Sequence, residues 1–147
     1  MMIEVKTYTE AFLSKGEFEL FLQRLDTWFT PPLSDSVELR AYANKLYDNA
    51  SFVIASEEGE FVGFAAFYCN KALKQLYVPL ICVAPSSQGR GIGGLMLSSM
   101  EKQSLKDFYT IGLEVRKSNV QALHFYKKHG FIEKENRDEK FLMEKTI

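Results

Sequence analysis

The sequence predicts one α/β domain with a mixed sheet, and three observations carry this prediction. Segments with the period-two alternation of strands lie between segments with the 3.6-residue period of helices. The predicted order of elements is β-αα-βββ-α-β-α-ββ, without an internal repeat or a low-complexity segment. The length of 147 residues is typical of one domain. We therefore expect residues 1–147 to form a single domain.

The first fifty residues predict a strand followed by two helices. Residues 2–7 alternate apolar and polar side chains, as a half-buried strand does. Apolar residues then repeat with helical spacing at Phe18, Phe21, Leu22 and Leu25, and Pro31-Pro32 is expected to end this helix. Asp35 and Glu38 form an Asp variant of the capping box that predicts the start of the second helix. Its expected buried side chains are Leu39, Tyr42, Ala43 and Leu46.

Three apolar runs in the middle of the chain predict adjacent strands. Residues 51–56 and 61–68 flank a short acidic loop in which Gly59 can adopt a positive φ, which predicts a hairpin. The third run, residues 76–84, contains Pro79. Because proline cannot donate a ladder hydrogen bond, Pro79 predicts a bulge or a local break in strand pairing.

The remaining elements are two helix–strand units and a closing strand. A helix is predicted over residues 91–106, with Ile92, Leu95, Met96 and Met100 facing inward. A strand over 110–116 precedes a helix over 119–129, for which Ser118 and Gln121 form a capping box and Gly130 is the C-terminal stop. Strands over 131–135 and 141–147 close the domain, joined by a charged, solvated loop.

Composition excludes several classes of protein. The net charge of −1 provides no electrostatic footprint for nucleic acid. No run approaches the roughly 20 apolar residues that cross a bilayer, and the N-terminus lacks the apolar region of a signal peptide. We expect a cytoplasmic protein with two buried reduced thiols, Cys69 and Cys82. His124 and His129 are five residues apart, which is not the i, i+4 spacing of a helical zinc pair, so no metal is expected.

A glycine-rich segment, VAPSSQGRGIGG (residues 83–94), follows a predicted strand and begins a predicted helix. The first amides of a helix lack intrahelical acceptors and carry the positive end of the helix dipole, and glycine lets an anion approach closely. The segment therefore predicts a phosphate or pyrophosphate site. Two alternatives are a turn without a ligand and the dinucleotide fingerprint Gly89-x-Gly91-x-x-Gly94. The upstream hairpin and the short remaining chain do not suit that fingerprint.

Two motifs resemble those of the GNAT family (GCN5-related N-acetyltransferases). VAPSSQGRGIGGLML resembles its acetyl-CoA motif, Q/R-x-x-G-x-G/A after V-x-P, and LEVRKSNVQALHFYKKHGF resembles its second motif. FLMEK resembles the last strand; residues 50–147 match well, and the first 50 match only in element type. The resemblance implies a three-layer fold, a mostly antiparallel sheet of about seven strands with helices on both faces. It also implies acetyl-CoA as cosubstrate, direct acetyl transfer to a primary amine without an acyl-enzyme, and allows a homodimer.

The resemblance also implies the site residues. Residues 88–94 would present amides to the CoA pyrophosphate, and residues 81–83 would pair with the pantetheine arm beside a split in the sheet. A backbone N–H of Cys82 or Val83 would stabilise the thioester oxygen. Tyr126 would be the general acid near the CoA sulfur; Glu114, twelve positions earlier as in members that acetylate protein N-termini, is the candidate base. The implied cofactor-binding residues are Ile81, Cys82, Val83, Gln88, Gly89, Arg90, Gly91, Ile92, Gly93, Gly94, Asn119 and Tyr126.

Simpler interpretations stay open at several of these positions. Tyr126 also fits an ordinary core tyrosine, Glu114 an ion pair with Arg116 or a lysine, and Arg90 a solvated loop residue. Tyr77 and Ser86 are alternative catalytic residues. The acceptor is a small molecule, an amino sugar or a protein N-terminus, and residues 28–32 form either an aromatic lip over it or a helix junction. A non-catalytic acyl-CoA-binding module is the alternative function.

Overall fold

The computed structural model describes residues 2–9, 12–104 and 106–147, with Ser104 described by its backbone alone. Their α-helices are α1 (Lys15–Leu25), α2 (Leu39–Asn49), α3 (Ile92–Ser104) and α4 (Val120–Lys128). Their strands are β1 (Ile3–Tyr8), β2 (Ser51–Glu57), β3 (Glu60–Asn70), β4 (Gln75–Val83), β5 (Thr110–Arg116), β6 (Ile132–Arg137) and β7 (Lys140–Thr146). The order of elements confirms the prediction β-αα-βββ-α-β-α-ββ.

The strands form one seven-stranded sheet in the order β1-β2-β3-β4-β5-β7-β6. Strands β1 to β4 pair antiparallel with their neighbours, as do β5, β7 and β6. Strands β4 and β5 pair in parallel. The sheet is therefore mixed and mostly antiparallel, as predicted.

Helices cover both faces of the sheet, which gives the expected three layers. The α3/α4 core packs Ile92, Met96 and Tyr126 against residues of β2 to β5 and β7. The α1/α2 core packs Phe18, Leu22 and Leu46 against residues of β2, β3 and β4. Among the described residues, the α1/α2 core contains none from β5, β6 or β7. That part of the sheet face is consequently open to an approaching molecule.

Strand β4 changes the direction of its side chains at Pro79. Leu76 and Val78 belong to the α3/α4 core, whereas Leu80 and Cys82 belong to the α1/α2 core. Even-numbered residues of a regular strand share one face, so an irregularity must separate the two pairs. The register with β3 shifts at this point: Tyr68 pairs with Tyr77, but Ala66 pairs with Leu80. The predicted bulge at Pro79 is confirmed.

The sheet splits beside the second half of β4. Pairing between β4 and β5 ends at Tyr77 and Gly112, and from Leu113 onward β5 pairs with β7 alone. Residues 80–83 therefore have β3 on one side and, within the described chain, no strand on the other. We call this opening the split. The break in pairing expected at Pro79 is confirmed.

The helix starts differ from the predicted capping boxes. Glu38 itself caps α2, since its carboxylate accepts from the backbone N–H of Ala41 at 2.7 Å, while Asp35 lies in a 3₁₀ turn. Asn119 caps α4 through a 3.1 Å hydrogen bond from the Ala122 N–H, so Ser118 is not the cap. A long carboxylate and an asparagine can each accept from the free amides of the first turn. The sequence analysis also missed the capping box of α1, formed by Ser14 and Glu17.

Four details of packing and element boundaries differ from the prediction. Leu95 is 46% exposed, and Leu97 is buried in the α3/α4 core instead. Cys69 is exposed near the end of β3, so only one of the two predicted buried thiols, Cys82, is buried. Helix α1 ends at Leu25, several residues before the prolines, because a 3₁₀ turn at Asp26–Trp28 follows it. The loop between β6 and β7 is reduced to a turn at residues 138–139, because both strands extend further than predicted.

Candidate active site

The glycine loop, residues 88–94, joins the end of β4 to α3. Gly89 (φ +81°) and Gly91 (φ +80°) adopt left-handed backbone conformations, which favour glycine even though a Cβ would meet open space at both. The Leu95 N–H donates to the Gly91 carbonyl at 3.1 Å, so Gly91 precedes the first turn of α3. The N–H groups of residues 92–94 therefore have no intrahelical acceptors and lie at the positive end of the helix.

Gly93 and Gly94 have a packing role that the sequence analysis did not foresee. A Cβ at Gly93 would lie 2.9 Å from Phe125 Cζ, and one at Gly94 would lie 2.7 Å from His129 Nε2. Both contacts are shorter than van der Waals separation. These two glycines let α3 approach α4, and this brings the second predicted motif beside the first.

Arg90, in the middle of the glycine loop, is paired with Glu57 at the end of β2. Its Nη1 donates to Glu57 Oε1 at 3.0 Å and its Nη2 to Oε2, which makes the pair bidentate. The hydrogen bonds raise the pKa of Arg90 and lower that of Glu57. Contact of Arg90 with a phosphate stays a prediction. Sequence reasoning missed Glu57, because nothing local marks a hairpin glutamate as a partner of a loop 33 residues away.

The backbone of β4 faces the split with alternate residues. The Ala84 N–H donates to the Val62 carbonyl at 2.8 Å, so even-numbered residues from 80 to 84 direct their N–H and C=O groups toward β3. Ile81 and Val83 therefore direct theirs into the split. Of the two expected oxyanion donors, the N–H of Val83 faces the split and that of Cys82 faces β3. The Val83 carbonyl accepts from Gln88 Nε2 at 3.4 Å, which ties the glycine loop to this strand.

Tyr126, on α4, is the candidate general acid and is buried in the α3/α4 core. It is 8% exposed and packs edge-to-face with Phe131, at 5.4 Å between ring centroids. Burial raises its pKa far above the ordinary tyrosine value, and a charge on Cys82 would raise it further. The hydroxyl therefore stays protonated at neutral pH and carries the proton that a general acid needs. Tyr126 belongs to the α3/α4 core and Cys82 to the α1/α2 core.

Glu114 lies on the opposite face, on β5 two residues beyond the last pairing with β4. The Tyr77 hydroxyl donates to its Oε1 at 3.4 Å, and Arg137 Nη1 donates to its Oε2 at 3.4 Å. Burial and the nearby Glu114 charge raise the pKa of Tyr77 to about 12. The partner is Arg137, on the edge strand β6, and not Arg116 or a lysine. The segment predicted as a plain solvated turn thus contributes a residue to the site.

Two further tyrosines lie beside this group. The Tyr42 hydroxyl, from α2, donates to the Pro79 carbonyl at 3.5 Å, and the pKa of Tyr42 is raised by burial and by nearby Tyr68 and Tyr77. The Tyr68 hydroxyl is buried and has no hydrogen-bond partner among the described residues. We call Tyr42, Tyr68 and Tyr77 the tyrosine cluster. Tyr68 was missed because its strand predicted only core positions.

The other residues expected at the site are Asn119, Ser86, Trp28 and Phe29. Asn119 is exposed and uses its side-chain oxygen to cap α4, and its contact with pantetheine stays a prediction. Ser86 lines a cavity of about 370 Å³ with Arg90 and Glu57. Trp28 and Phe29 pack against the α1/α2 core, as expected for a helix junction.

No group of three or more His, Cys, Asp or Glu side chains that could hold a metal ion is found within the described residues. Within the part of the chain that the structure describes, no helix is long and apolar enough to cross a membrane.

The chain belongs to the Acetyltransferase (GNAT) family, whose family model matches residues 18–131. This stretch includes the glycine loop, the split and Tyr126. The family predicted from the two motifs is confirmed, and the match extends into α1 and α2, where the sequence resembled the family only in element type.

Named relatives and solved structures agree with this membership. Mycothiol acetyltransferase of Acidimicrobium ferrooxidans is 32% identical over 92 residues, which are 58% of this chain and 29% of that protein. Streptothricin acetyltransferase of Streptomyces lavendulae is 33% identical over 85 residues, 57% of this chain and 45% of that protein. These matches therefore span less than half the length of either relative. The PaiA N-acetyltransferase from Thermoplasma acidophilum in complex with coenzyme A shares the fold, with TM-score 0.76, 18% identity and full coverage of both chains.

Proposed function

We propose that this protein is an acetyl-CoA-dependent N-acetyltransferase that moves an acetyl group directly from CoA to a primary amine. The observation that carries the proposal is the split, whose open β4 edge leads into the glycine loop at one end and to Glu114 at the other. Family membership, the names of the two relatives and the coenzyme A complex of the PaiA enzyme support it. We also propose that residues 1–147 act as one domain, since β1 and β7 belong to the same sheet.

The glycine loop and β4 would bind acetyl-CoA. The free amides of residues 92–94, with the adjacent amides of Gly89 and Gly91, would donate to the pyrophosphate, where the helix end also favours negative charge. The unpaired backbone groups of Ile81 and the N–H of Val83 would pair with the pantetheine amides as a neighbouring strand does. This binding needs no basic surface, in keeping with a net charge of −1.

The chemistry would be a direct attack of amine on thioester. The Glu114 carboxylate, directly or through a water, takes a proton from the substrate ammonium. The amine nitrogen bonds to the thioester carbon, and the Val83 N–H stabilises the negative charge that develops on the oxygen. When the C–S bond breaks, Tyr126 donates its proton to the departing thiolate, and the second proton lost by the acetylated nitrogen returns Tyr126 to its neutral form, directly or through a water. An acyl-cysteine is not supported, because burial raises the pKa of Cys82 to about 12 and leaves it a poor nucleophile.

The acceptor would approach from the α2 face of the sheet. Glu114, Tyr77 and Tyr42 lie on this side, and the adjoining strands β5, β7 and β6 are not covered by α1 or α2 within the described residues. A carboxylate with tyrosine hydroxyls is a suitable environment for a primary ammonium group. A small molecule, an amino sugar and a protein N-terminus are all accommodated by this proposal; the homodimer and the cytoplasmic location stay predictions of the sequence.

Thiol release tests the proposal. Purified protein is incubated with acetyl-CoA and a panel of amines, namely simple alkylamines, amino sugars and peptides with free N-termini, while free CoA thiol is followed continuously. We expect amine-dependent thiol release for at least one class, with the acetylated product confirmed by mass spectrometry. Saturable CoA binding by calorimetry without turnover on any amine would instead support a non-catalytic acyl-CoA-binding module.

A further inference from the structure

The glycine loop is attached to the sheet through the side chain of Arg90. Arg90 lies between Gly89 and Gly91, both in left-handed backbone conformations. Glycines lose more conformational freedom on ordering than other residues, so the backbone of residues 89–91 does not favour one conformation by itself. The bidentate pair with Glu57 ties its midpoint to the end of β2.

Within the described residues, the loop has one other side-chain hydrogen bond to the sheet, from Gln88 Nε2 to the Val83 carbonyl at 3.4 Å. Behind the ion pair lies the cavity of about 370 Å³, lined by Glu58, Glu60, Ser86 and Ser87 among others. Glu57 is well placed for the task, because its side chain is only 14% exposed and sits on a strand of the rigid sheet.

We propose that Glu57 is a positioning residue for the cofactor: through Arg90 it holds the glycine loop in the conformation that presents the amides of residues 92–94 to the CoA pyrophosphate. This inference rests on the proposed function, in that CoA is taken as the ligand. In it Arg90 is the link between Glu57 and the loop and does not contact the phosphates, because the Glu57 carboxylate already compensates its charge and occupies one edge of the guanidinium. The pyrophosphate is then held by backbone amides alone.

Loop positioning by the ion pair and direct phosphate binding by Arg90 predict opposite effects on CoA affinity when Glu57 is removed. If the pair positions the loop, removing either partner weakens CoA binding, and removing both costs no more than removing one. If Arg90 binds phosphate, removing Glu57 frees its guanidinium and tightens CoA binding. The two models also differ in salt dependence, since a lost phosphate contact makes binding less sensitive to ionic strength.

Calorimetric titration with CoA separates them. The variants are Glu57→Gln, Arg90→Gln, the double variant and the charge swap Glu57→Arg with Arg90→Glu; Arg40→Gln, at a weak and exposed pair with Glu19, is the matched control. We expect each single change to weaken binding by about five- to tenfold, the double change to add nothing, and the swap to recover part of the loss. In kinetics, KM for acetyl-CoA should rise while kcat at saturation is unchanged.

Tighter binding by Glu57→Gln, or a reduced salt dependence confined to Arg90→Gln, would overturn the inference, as would unchanged affinity in all variants. Hydrogen exchange of the free protein provides an arm independent of CoA: exchange of the Leu95 N–H, which donates to the Gly91 carbonyl of the loop, should accelerate in Glu57→Gln and Arg90→Gln but not in Arg40→Gln. Absence of CoA binding by the wild-type protein would sink the proposed function. In that case faster amide exchange at Leu95 in Glu57→Gln and Arg90→Gln would still support positioning of the loop by Glu57, and unchanged exchange would overturn this inference.

Discussion

The hydroxyl of Tyr77 donates to Glu114 Oε1 at 3.4 Å across the point where β4 and β5 separate. Tyr77 is the last residue of β4 that pairs with β5, and Glu114 lies two residues beyond its partner Gly112. The hydrogen bond therefore spans the mouth of the split on its α2 face. Tyr126 belongs to the α3/α4 core on the other face of the sheet, so under the proposed function the candidate base and the candidate acid would act on a thioester from opposite faces.

Glu114→Gln should lower kcat/KM for the amine by about 10²- to 10⁴-fold, the usual contribution of a general base, because an amide cannot take the proton of the ammonium. CoA affinity by calorimetry should not change. Glu144→Gln is the matched control: Glu144 lies on the same sheet face and accepts from Gln75 at 3.1 Å, a contact that a glutamine oxygen can keep. Equal activity of the Glu114 and Glu144 variants would remove Glu114 from its proposed role.

Tyr126→Phe should lower kcat by about 10²-fold or more, since the ring packing is kept while the proton donor is lost. CoA affinity should hardly move. Tyr109→Phe, at an exposed tyrosine, serves as the control. A wild-type kcat in Tyr126→Phe would make Tyr126 an ordinary core residue.

The pH profile of kcat provides a separate check on Tyr126. A general acid must be protonated to act, and burial raises the pKa of Tyr126 above its ordinary value of about 10. Activity limited by this group should therefore persist to alkaline pH, with no fall attributable to Tyr126 below about pH 10. A basic limb near pH 8 that disappears in Tyr126→Phe would contradict the raised pKa.

Gly94→Ala should destabilise the protein by about 1–3 kcal/mol, the usual cost of overpacking, because the new Cβ would lie 2.7 Å from the half-buried His129 ring. Urea unfolding measures the loss. Gly16→Ala in α1 is the control, since a Cβ there meets nothing within 4 Å and alanine favours the helix. Equal stability of Gly94→Ala and wild type would mean that α3 and α4 can separate without cost.

Iodoacetamide should label Cys69 and spare Cys82 in the folded protein at pH 8. Cys69 is exposed, whereas Cys82 is buried and its pKa is raised to about 12, so little of it is the reactive thiolate. Intact-mass analysis should show one adduct, and peptide mapping should place it on Cys69. Labelling of Cys82 at a comparable rate, without denaturant, would show that the α1/α2 core opens readily.

Local sequence patterns predicted most of the helices, strands and turns. Turn chemistry predicted the β2–β3 hairpin at Gly59, and the missing N–H of Pro79 predicted the bulge. Periodicity could not separate Leu95 from Leu97, because at about 100° per residue both lie equally far from the centre of the Ile92, Met96 and Met100 stripe. Contact with the sheet decides that Leu97 is buried. The N-cap of α4 was predicted at Ser118 and lies at Asn119, because serine and asparagine can both accept from the free amides of a helix start.

The sequence by itself determined the family, the glycine loop and the candidate pair Glu114 and Tyr126, because these depend on residue types at short, fixed spacings. Only the tertiary structure decided what each group contacts. Arg90 meets Glu57, Glu114 meets Tyr77 and Arg137, and the N–H of Val83 rather than that of Cys82 faces the split. The side-chain contacts of Arg90 and Glu114 join residues on different elements, 23 to 37 positions apart in the chain. They follow from the order of the strands in the sheet and from the register of β3 with β4 beyond the bulge, neither of which local sequence encodes.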